Sequence, residues 1–423
     1  MIRNRHVSAP LQARAVVTAL AALAVAGLLG GCAVATSGAS SRQPAGSGAG
    51  PGSAAGCNNG TGSGGTGSGG TGSAAAPLQA IQFVGDDHGW AAGAGRILAT
   101  SDGGRTWTRQ YAGSAVLNQL DFTGTADGWA VGPEALLRTT DGGARWTALG
   151  QPRLDGRCQA VSSVHFVSPH LGYAVAHSTG ADSTGAGGTG AAGQLLRTTD
   201  GGVTWGLAAG APAGAQAVCF STVQDGYLGA PGRVWRTTDA GATWSPSFTE
   251  PPASGGQVAG GTAGDTPELG CAAHDAAWVL FLGSGAAMMH APYLAYATQD
   301  GAGWHGVLEE PMIESAIRPK LHLPAGPGSE PGPFSVISSG AAAFVGYTPP
   351  ANGWGAAPLI VATDGGAVLS SAGNVPAINE PLAAAFLTPA QGWVAGENLK
   401  SHTFSIEATT DAGRSWTTQY TTS

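Results

Sequence analysis

The stretch Leu136-Leu137-Arg138-Thr139-Thr140-Asp141-Gly142-Gly143-Ala144-Arg145-Trp146 decides the fold, because it recurs along the chain. A Leu/Val-rich run ends in a Ser/Thr-x-Asp-x-Gly-x-x-Trp box, with further copies centred on Asp102, Asp200, Asp239, Asp300, Asp364 and Asp411. By subtraction of positions, successive box aspartates lie 39, 59, 39, 61, 64 and 47 residues apart. The shortest interval is the length of one four-stranded propeller blade, so the longer ones must hold insertions. Asp and the hydroxyl residue can hydrogen-bond the backbone of their own turn, and the glycines supply positive φ. The Trp then opens the next strand and offers an apolar face to a neighbouring sheet.

A second phrase precedes each box by one strand. It reads Gly89-Trp90-Ala91-Ala92-Gly93, Gly128-Trp129-Ala130-Val131-Gly132, Gly172-Tyr173-Ala174-Val175, Gly226-Tyr227-Leu228-Gly229, Ala277-Trp278-Val279-Leu280, Ala343-Phe344-Val345-Gly346 and Gly392-Trp393-Val394-Ala395-Gly396. Upstream of each lies an alternating run such as Ala80-Ile81-Gln82-Phe83-Val84, the period-2 pattern of a half-buried strand. Each repeat therefore supplies four strands. Ten of the twelve tryptophans fall in these two phrases, which reads as packing between blades rather than as ligand platforms. The expectation is an all-β, seven-bladed β-propeller of four-stranded antiparallel blades over residues 77–423. The sixth box is degenerate, with Val368-Leu369 where others place the Trp. Repeat and ring share a phase, so closure should rest on packing of blade one against blade seven.

Residues 1–31 read as a lipoprotein signal peptide. Arg3, Arg5 and Arg14 form a positive start, Ala15 to Leu29 an apolar segment, and Leu29-Gly30-Gly31-Cys32 a lipobox that makes Cys32 the lipidated residue. Residues 32–76, almost wholly Gly, Ser, Ala and Thr, have too little apolar surface to fold and read as a flexible tether. These segments imply an extracytoplasmic protein held to the cell membrane by its lipid alone. The whole chain has a net charge of −8. Without residues 1–31, which carry three Arg and no acid, 15 basic and 26 acidic residues leave −11. That balance argues against nucleic acid and anionic lipid as partners.

Four further cysteines can be oxidised in an exported protein, with three pairings open. Matching places in adjacent repeats favour Cys219 with Cys271, leaving Cys57 for Cys158. No CxxC or HxH spacing occurs, so no metal is expected. No cofactor is implied either.

In such a blade the box turn and the first turn emerge on one face of the disc. The insertions cluster on the other: 177–193, 246–267, 283–292, 307–333, 348–358 and 397–402. Function sits on loops grouped at one end of a scaffold, so this face is the candidate surface. Its richest residues are Met288, Tyr293, Met312, Arg318, His322, Tyr347 and Trp354, an aromatic, Met and Arg mixture of the kind found in protein-recognition surfaces.

The paired phrases, most specifically Leu136 to Trp146, Leu195 to Trp205 and Val234 to Trp244, resemble the photosystem II stability and assembly factor family of Asp-box propellers. The resemblance implies a seven-bladed binding or assembly scaffold, here with an envelope protein as partner and the chain as a monomer. The boxes also resemble those of sialidases and of xyloglucan-cleaving glycoside hydrolases. Sialidases need an arginine triad, a Tyr with a Glu and an acid/base Asp, but the Arg-Ile-Pro phrase before the first box is missing, and Ile317-Arg318-Pro319 differs in order and place. Arg109, Arg153, Arg157 and Arg318 are the arginines on the relevant face; the acids are Asp265, Glu268, Glu309, Glu310, Glu314, Glu330 and Glu397. A glycosidase needs two carboxyls at a set separation. The reading is a non-catalytic scaffold; the alternatives are a sialidase-like glycoside hydrolase and a passive envelope spacer.

Overall fold

The computed structural model describes residues 77–178, 193–251, 266–283, 292–311, 321–347 and 355–422. The signal segment, the tether, Cys32, Cys57, Asp265, Met288, Met312, Glu314, Arg318 and Trp354 lie outside them.

Seven antiparallel sheets follow one another along the chain. Blade one holds β1 (Leu78–Val84), β2 (His88–Thr100) and β3 (Thr108–Val116); β2 fills both central positions, its two halves pairing with β1 and β3, and turns at Gly95 with φ 71°. Blade two holds β4 (Gln119–Phe122), β5 (Gly128–Gly132), β6 (Ala135–Thr139) and β7 (Thr147–Ala148). Blade three holds β8 (Arg153–Leu154), β9 (Arg157–Phe166), β10 (Gly172–Ser178), β11 (Gln194–Thr198) and β12 (Gly206–Leu207), so a short fifth strand, β8, extends its inner edge. Blade four holds β13 (Ala217–Phe220), β14 (Gly226–Ala230), β15 (Arg233–Thr237) and β16 (Ser245–Thr249). Blade five holds β17 (Thr266–Ala272), β18 (Ala276–Leu282), β19 (Tyr293–Thr298) and β20 (His305–Glu309). Blade six holds β21 (Glu330–Ser338), β22 (Ala341–Tyr347), β23 (Ala357–Thr363) and β24 (Val368–Val375). Blade seven holds β25 (Glu380–Phe386), β26 (Gly392–Asn398), β27 (Thr403–Thr409) and β28 (Thr417–Thr422).

Each second strand is apolar on both faces because it lies between two neighbouring blades, and Gly128–Gly132 is buried throughout. At three consecutive seams its aromatic stacks on the first-strand Phe of the next blade: Trp90 on Phe122 at 3.7 Å, Trp129 on Phe166 at 3.5 Å, Tyr173 on Phe220 at 4.0 Å. The same contact closes the ring, with Trp393 of blade seven stacked on Phe83 of blade one at 3.6 Å. Gln419 adds a bridge, accepting from Trp393 Nε1 and donating to the Gly103 carbonyl. Each sheet is one continuous stretch of chain, so the ring closes by packing and this side-chain bridge, without strand exchange. The box tryptophans differ from the sequence expectation. Trp107, Trp146, Trp205 and Trp244 meet the Phe of their own blade edge-on, and that Phe carries the contact to the neighbour.

The glycine before five of the second-strand aromatics, Trp90, Trp129, Tyr173, Tyr227 and Trp393, has a steric cause. A Cβ at Gly128 would stand 2.3 Å from the Phe122 ring, and one at Gly392 2.2 Å from Phe386.

The sequence alignment of blade six needs a one-residue correction. Ala342 pairs with Ala362, the residue two before the box Asp, as Gly392 pairs with Thr409. Ala343 therefore stands in the aromatic position, and Phe344 turns to the opposite face, into the cluster with Trp278.

Candidate functional site

The box face is self-satisfied. In box one Thr100 Oγ1 donates to Asp102 Oδ1 at 2.8 Å, and Gly104 N donates back to Thr100 Oγ1 at 2.8 Å. Asp102 also accepts from the Thr106 amide and hydroxyl, which hold its carboxyl down at about 2. The same set recurs at Asp200, Asp239 and Asp411; Asp141 keeps all but the second hydroxyl, because Arg145 stands where Thr106 does, and Asp300 has a shortened form. Box six has Ala362 in place of the hydroxyl, and Asp364 adopts φ 53° in a short 3-10 turn. The carboxylates of the other six boxes are committed to their own turns.

The opposite face is organised by register. The first strands line the axis, and their starts lie toward the insertion-bearing face. There they line an open cavity of about 410 Å³ whose lining includes Gln79, Asn118, Glu268, Pro331, Phe334 and Pro381. Glu268 lines this space as an exposed residue, and desolvation by the surrounding strands raises its carboxyl.

Beside the cavity, Glu330 pairs across the ladder with Tyr347, and Glu380 with Glu397. Like charges facing one another across a ladder are unfavourable. Burial first, and Glu397 second, raise the Glu380 carboxyl, while burial, then Glu380 and Glu330, raise the Tyr347 hydroxyl. Glu397 also meets His402 Nδ1 at 3.4 Å.

Sequence reasoning overlooked Glu380. The signal was present: Glu-Pro occurs at Glu250-Pro251, Glu310-Pro311, Glu330-Pro331 and Glu380-Pro381, each where a blade is entered or left on this face.

Of the residues expected to meet a partner, His322 is exposed and Tyr347 half-buried. Tyr293 is corrected: it is 2% exposed, with its hydroxyl donating to the Pro327 and Gly328 carbonyls at 3.0 Å, so it joins blade five to the connection that follows. Its place in the chain suggested a loop, but it opens β19 facing inward. Glu309 and Glu310 are also buried, and Glu309 Oε2 accepts from the Leu321 amide at 3.0 Å.

Arg109 lies on the outer strand of blade one, whereas Arg153 and Arg157 lie on the β8–β9 hairpin of blade three, so these three arginines are split between non-adjacent blades. Among the described residues no cluster of three or more His, Cys, Asp or Glu could hold a metal ion. Cys219 and Cys271 are joined by a disulfide across the seam between blades four and five. Cys158 is also disulfide-bonded, to a partner outside the described residues.

Fold and boxes together define a seven-bladed Asp-box β-propeller. A family model described as photosynthesis system II assembly factor YCF48 matches residues 73–181, and the chain resembles that family. No curated protein matches it by sequence. The solved structure of YCF48 bound to a D1 peptide is similar over 76% of this chain and 90% of that one, at 17% identity and a TM-score of 0.48. The GH74 enzyme of Niastella koreensis gives a TM-score of 0.53 at 14% identity, over 81% of this chain and 53% of its own. The GH74 xyloglucanase of Xanthomonas campestris gives 0.52 at 12% identity, over 81% and 54%. The chain thus spans about half the length of these two enzymes, and at such identities the likeness is one of fold.

Proposed function

We propose that this chain is an exported, lipid-anchored monomer that serves as a non-catalytic protein-binding or assembly scaffold at the cell envelope, through the face opposite its Asp boxes. One observation carries the reading. Six of the seven box carboxylates are hydrogen-bonded within their own turns, whereas the insertion face combines the axial cavity with the Glu380 and Glu397 carboxylates, opposed across one ladder. The family-model match over the first blades, to a family described as an assembly factor, supports the same reading. Cys32 supplies the anchor and residues 32–76 the reach.

Site-specific photo-crosslinking in native membranes tests it, with the photoreactive residue at His322 or Tyr347 on the insertion face and at Arg145 on the box face. Discrete protein adducts from the first two positions and none from Arg145 are expected; adducts from Arg145 alone would refute the assignment of the face. Turnover of fluorogenic sialosides or xyloglucan oligomers, lost in Glu380→Gln, would replace the scaffold by a glycoside hydrolase. Retention of a palmitate label by Cys32→Ser would remove the anchor.

A further inference from the structure

Of the five cysteines in the chain, Cys219 and Cys271 are joined to each other, and Cys158 is bonded to a cysteine outside the described residues. Cys32 and Cys57 are the two that remain. Cys158 is the second residue of β9 and half-buried, so it lies where the first strands begin, on the insertion face. A dedicated element holds it there. Blade three has the fifth strand β8, whose Arg153 pairs with Cys158. The hairpin turns at Asp155 and Gly156, with φ 49° and 77°, the left-handed pair that a two-residue connection of this type requires. Gln151 fixes its base, donating to the Gly132 carbonyl and accepting from the Val161 amide, and Gln159 N donates to the Pro152 carbonyl. In the sequence, across residues 45–76, only Pro51 and Cys57-Asn58-Asn59 depart from Gly, Ser, Ala and Thr.

We infer that Cys57 is the partner of Cys158, so that the anchoring segment is stapled to the insertion face at blade three. The inference rests on the anchored-scaffold reading, because a lipid on Cys32 takes up that sulfur and leaves Cys57. From Cys57 to Leu78 the chain runs 78 − 57 = 21 residues, at most about 70 to 75 Å, so length does not limit the join. The link to the lipid shortens from 78 − 32 = 46 residues to 57 − 32 = 25. For a Gly/Ser-rich chain the mean reach then falls from about 35–40 Å to about 25–30 Å. The propeller hangs from the face that carries its candidate surface, within reach of a partner embedded in the same membrane.

The bond forms by exchange with a disulfide-bearing oxidant protein of the extracytoplasmic compartment. One thiolate attacks the donor disulfide, and the second displaces the donor from the mixed disulfide. The two thiols lose two electrons and two protons, and the donor leaves as a dithiol. The loop so closed spans 158 − 57 = 101 residues and takes in the whole of blades one and two. A dithiol reductant reverses the step and restores the longer link.

The test uses the full chain exported to its membrane, with a site for a sequence-specific protease inserted between Thr66 and Gly67. Cleavage there cuts the backbone between the staple and blade one. Without reductant, the cut protein is expected to run as one species with its N-terminal fragment attached, and to sediment with the membranes. Dithiothreitol should then split off the fragment and release the propeller, and Cys158→Ser should give the same release on cleavage alone. Loss of the fragment from the wild type without reductant would overturn the inference and leave the scaffold standing. Retention of the fragment in Cys57→Ser would overturn it too, since Cys32 would then hold Cys158. A cut protein that keeps its fragment yet leaves the membrane would remove the anchor and uphold the staple.

Discussion

Cys271 stands in blade five where Phe122, Phe166 and Phe220 stand in blades two, three and four, and its disulfide to Cys219 takes the place of an aromatic stack. In each of those seams the next blade's Phe receives a ring from the blade before it. At the seam between blades four and five, Tyr227 finds no such Phe, and Trp304 packs edge-on to Tyr227 at 5.9 Å instead. The inner residue before each Phe joins neighbouring blades by other means elsewhere: Gln82 Oε1 accepts from Phe122 N and Asp121 from Phe166 N. Cys219 occupies that inner position, so a covalent bond replaces a hydrogen bond.

Loss of this bond should weaken the ring at one seam. Cys219→Ser with Cys271→Ser opens a loop of 52 residues, for which the chain-entropy argument gives about 4 kcal/mol. Cys219→Ala with Cys271→Phe should recover part of the loss, because the new ring can stack on Tyr227. Guanidinium unfolding of the three proteins measures both changes; equal stability of the two double variants would remove the stacking account.

Gly128→Ala should cost about 2 to 3 kcal/mol, the upper part of the overpacking range. The new methyl would enter the Phe122 ring, which Trp90 and Trp146 hold in place. Gly124→Ala, with open space around its Cβ, provides the control and should be nearly neutral in thermal unfolding.

Thr139→Val tests the box as a hydrogen-bonded unit. The buried Thr139 hydroxyl donates to Asp141 and accepts from Gly143 N. Its loss leaves both groups short of a partner, a cost of about 1 to 3 kcal/mol. Ala362→Thr restores the missing hydroxyl of box six and should raise the melting temperature.

Glu268 makes stability depend on pH in a defined direction. Its carboxyl is raised by burial from 4.5 to about 7, so the folded state favours the protonated form. The associated stability is fully present below the unfolded value and is lost as pH rises through the folded one. Glu268→Gln should therefore gain on the wild type between about pH 4.5 and pH 7 and hold a constant advantage above that window. Parallel melting curves across the window would contradict the raised carboxyl.

Where the repeat was strong, its local chemistry made the fold readable. The Thr-x-Asp-x-Gly box specifies its own turn through hydrogen bonds within four residues, so Asp102 or Asp239 announces a blade edge without reference to the rest of the chain. Blade six shows the limit. With Ala342, Ala343 and Ala362 in the diagnostic places, local composition left the register of Phe344 open by one residue, and only pairing with β23 settled it. Tyr293 shows another limit, since its burial comes from Pro327 and Gly328, more than thirty residues away.

The sequence by itself determined seven blades, their strand order and the separation of a box face from an insertion face, because periodicity and turn chemistry act over a few residues. Only the closed ring decided what those faces contain. Gln419 reaches Gly103 across 316 positions, and the same closure gathers Gln79, Asn118, Glu268, Phe334 and Pro381 from five blades around one cavity. The place of Glu268 among these strands and the opposition of Glu380 to Glu397 belong to that geometry. Both depend on which strands meet, and burial and like-charge proximity exist only after they have met.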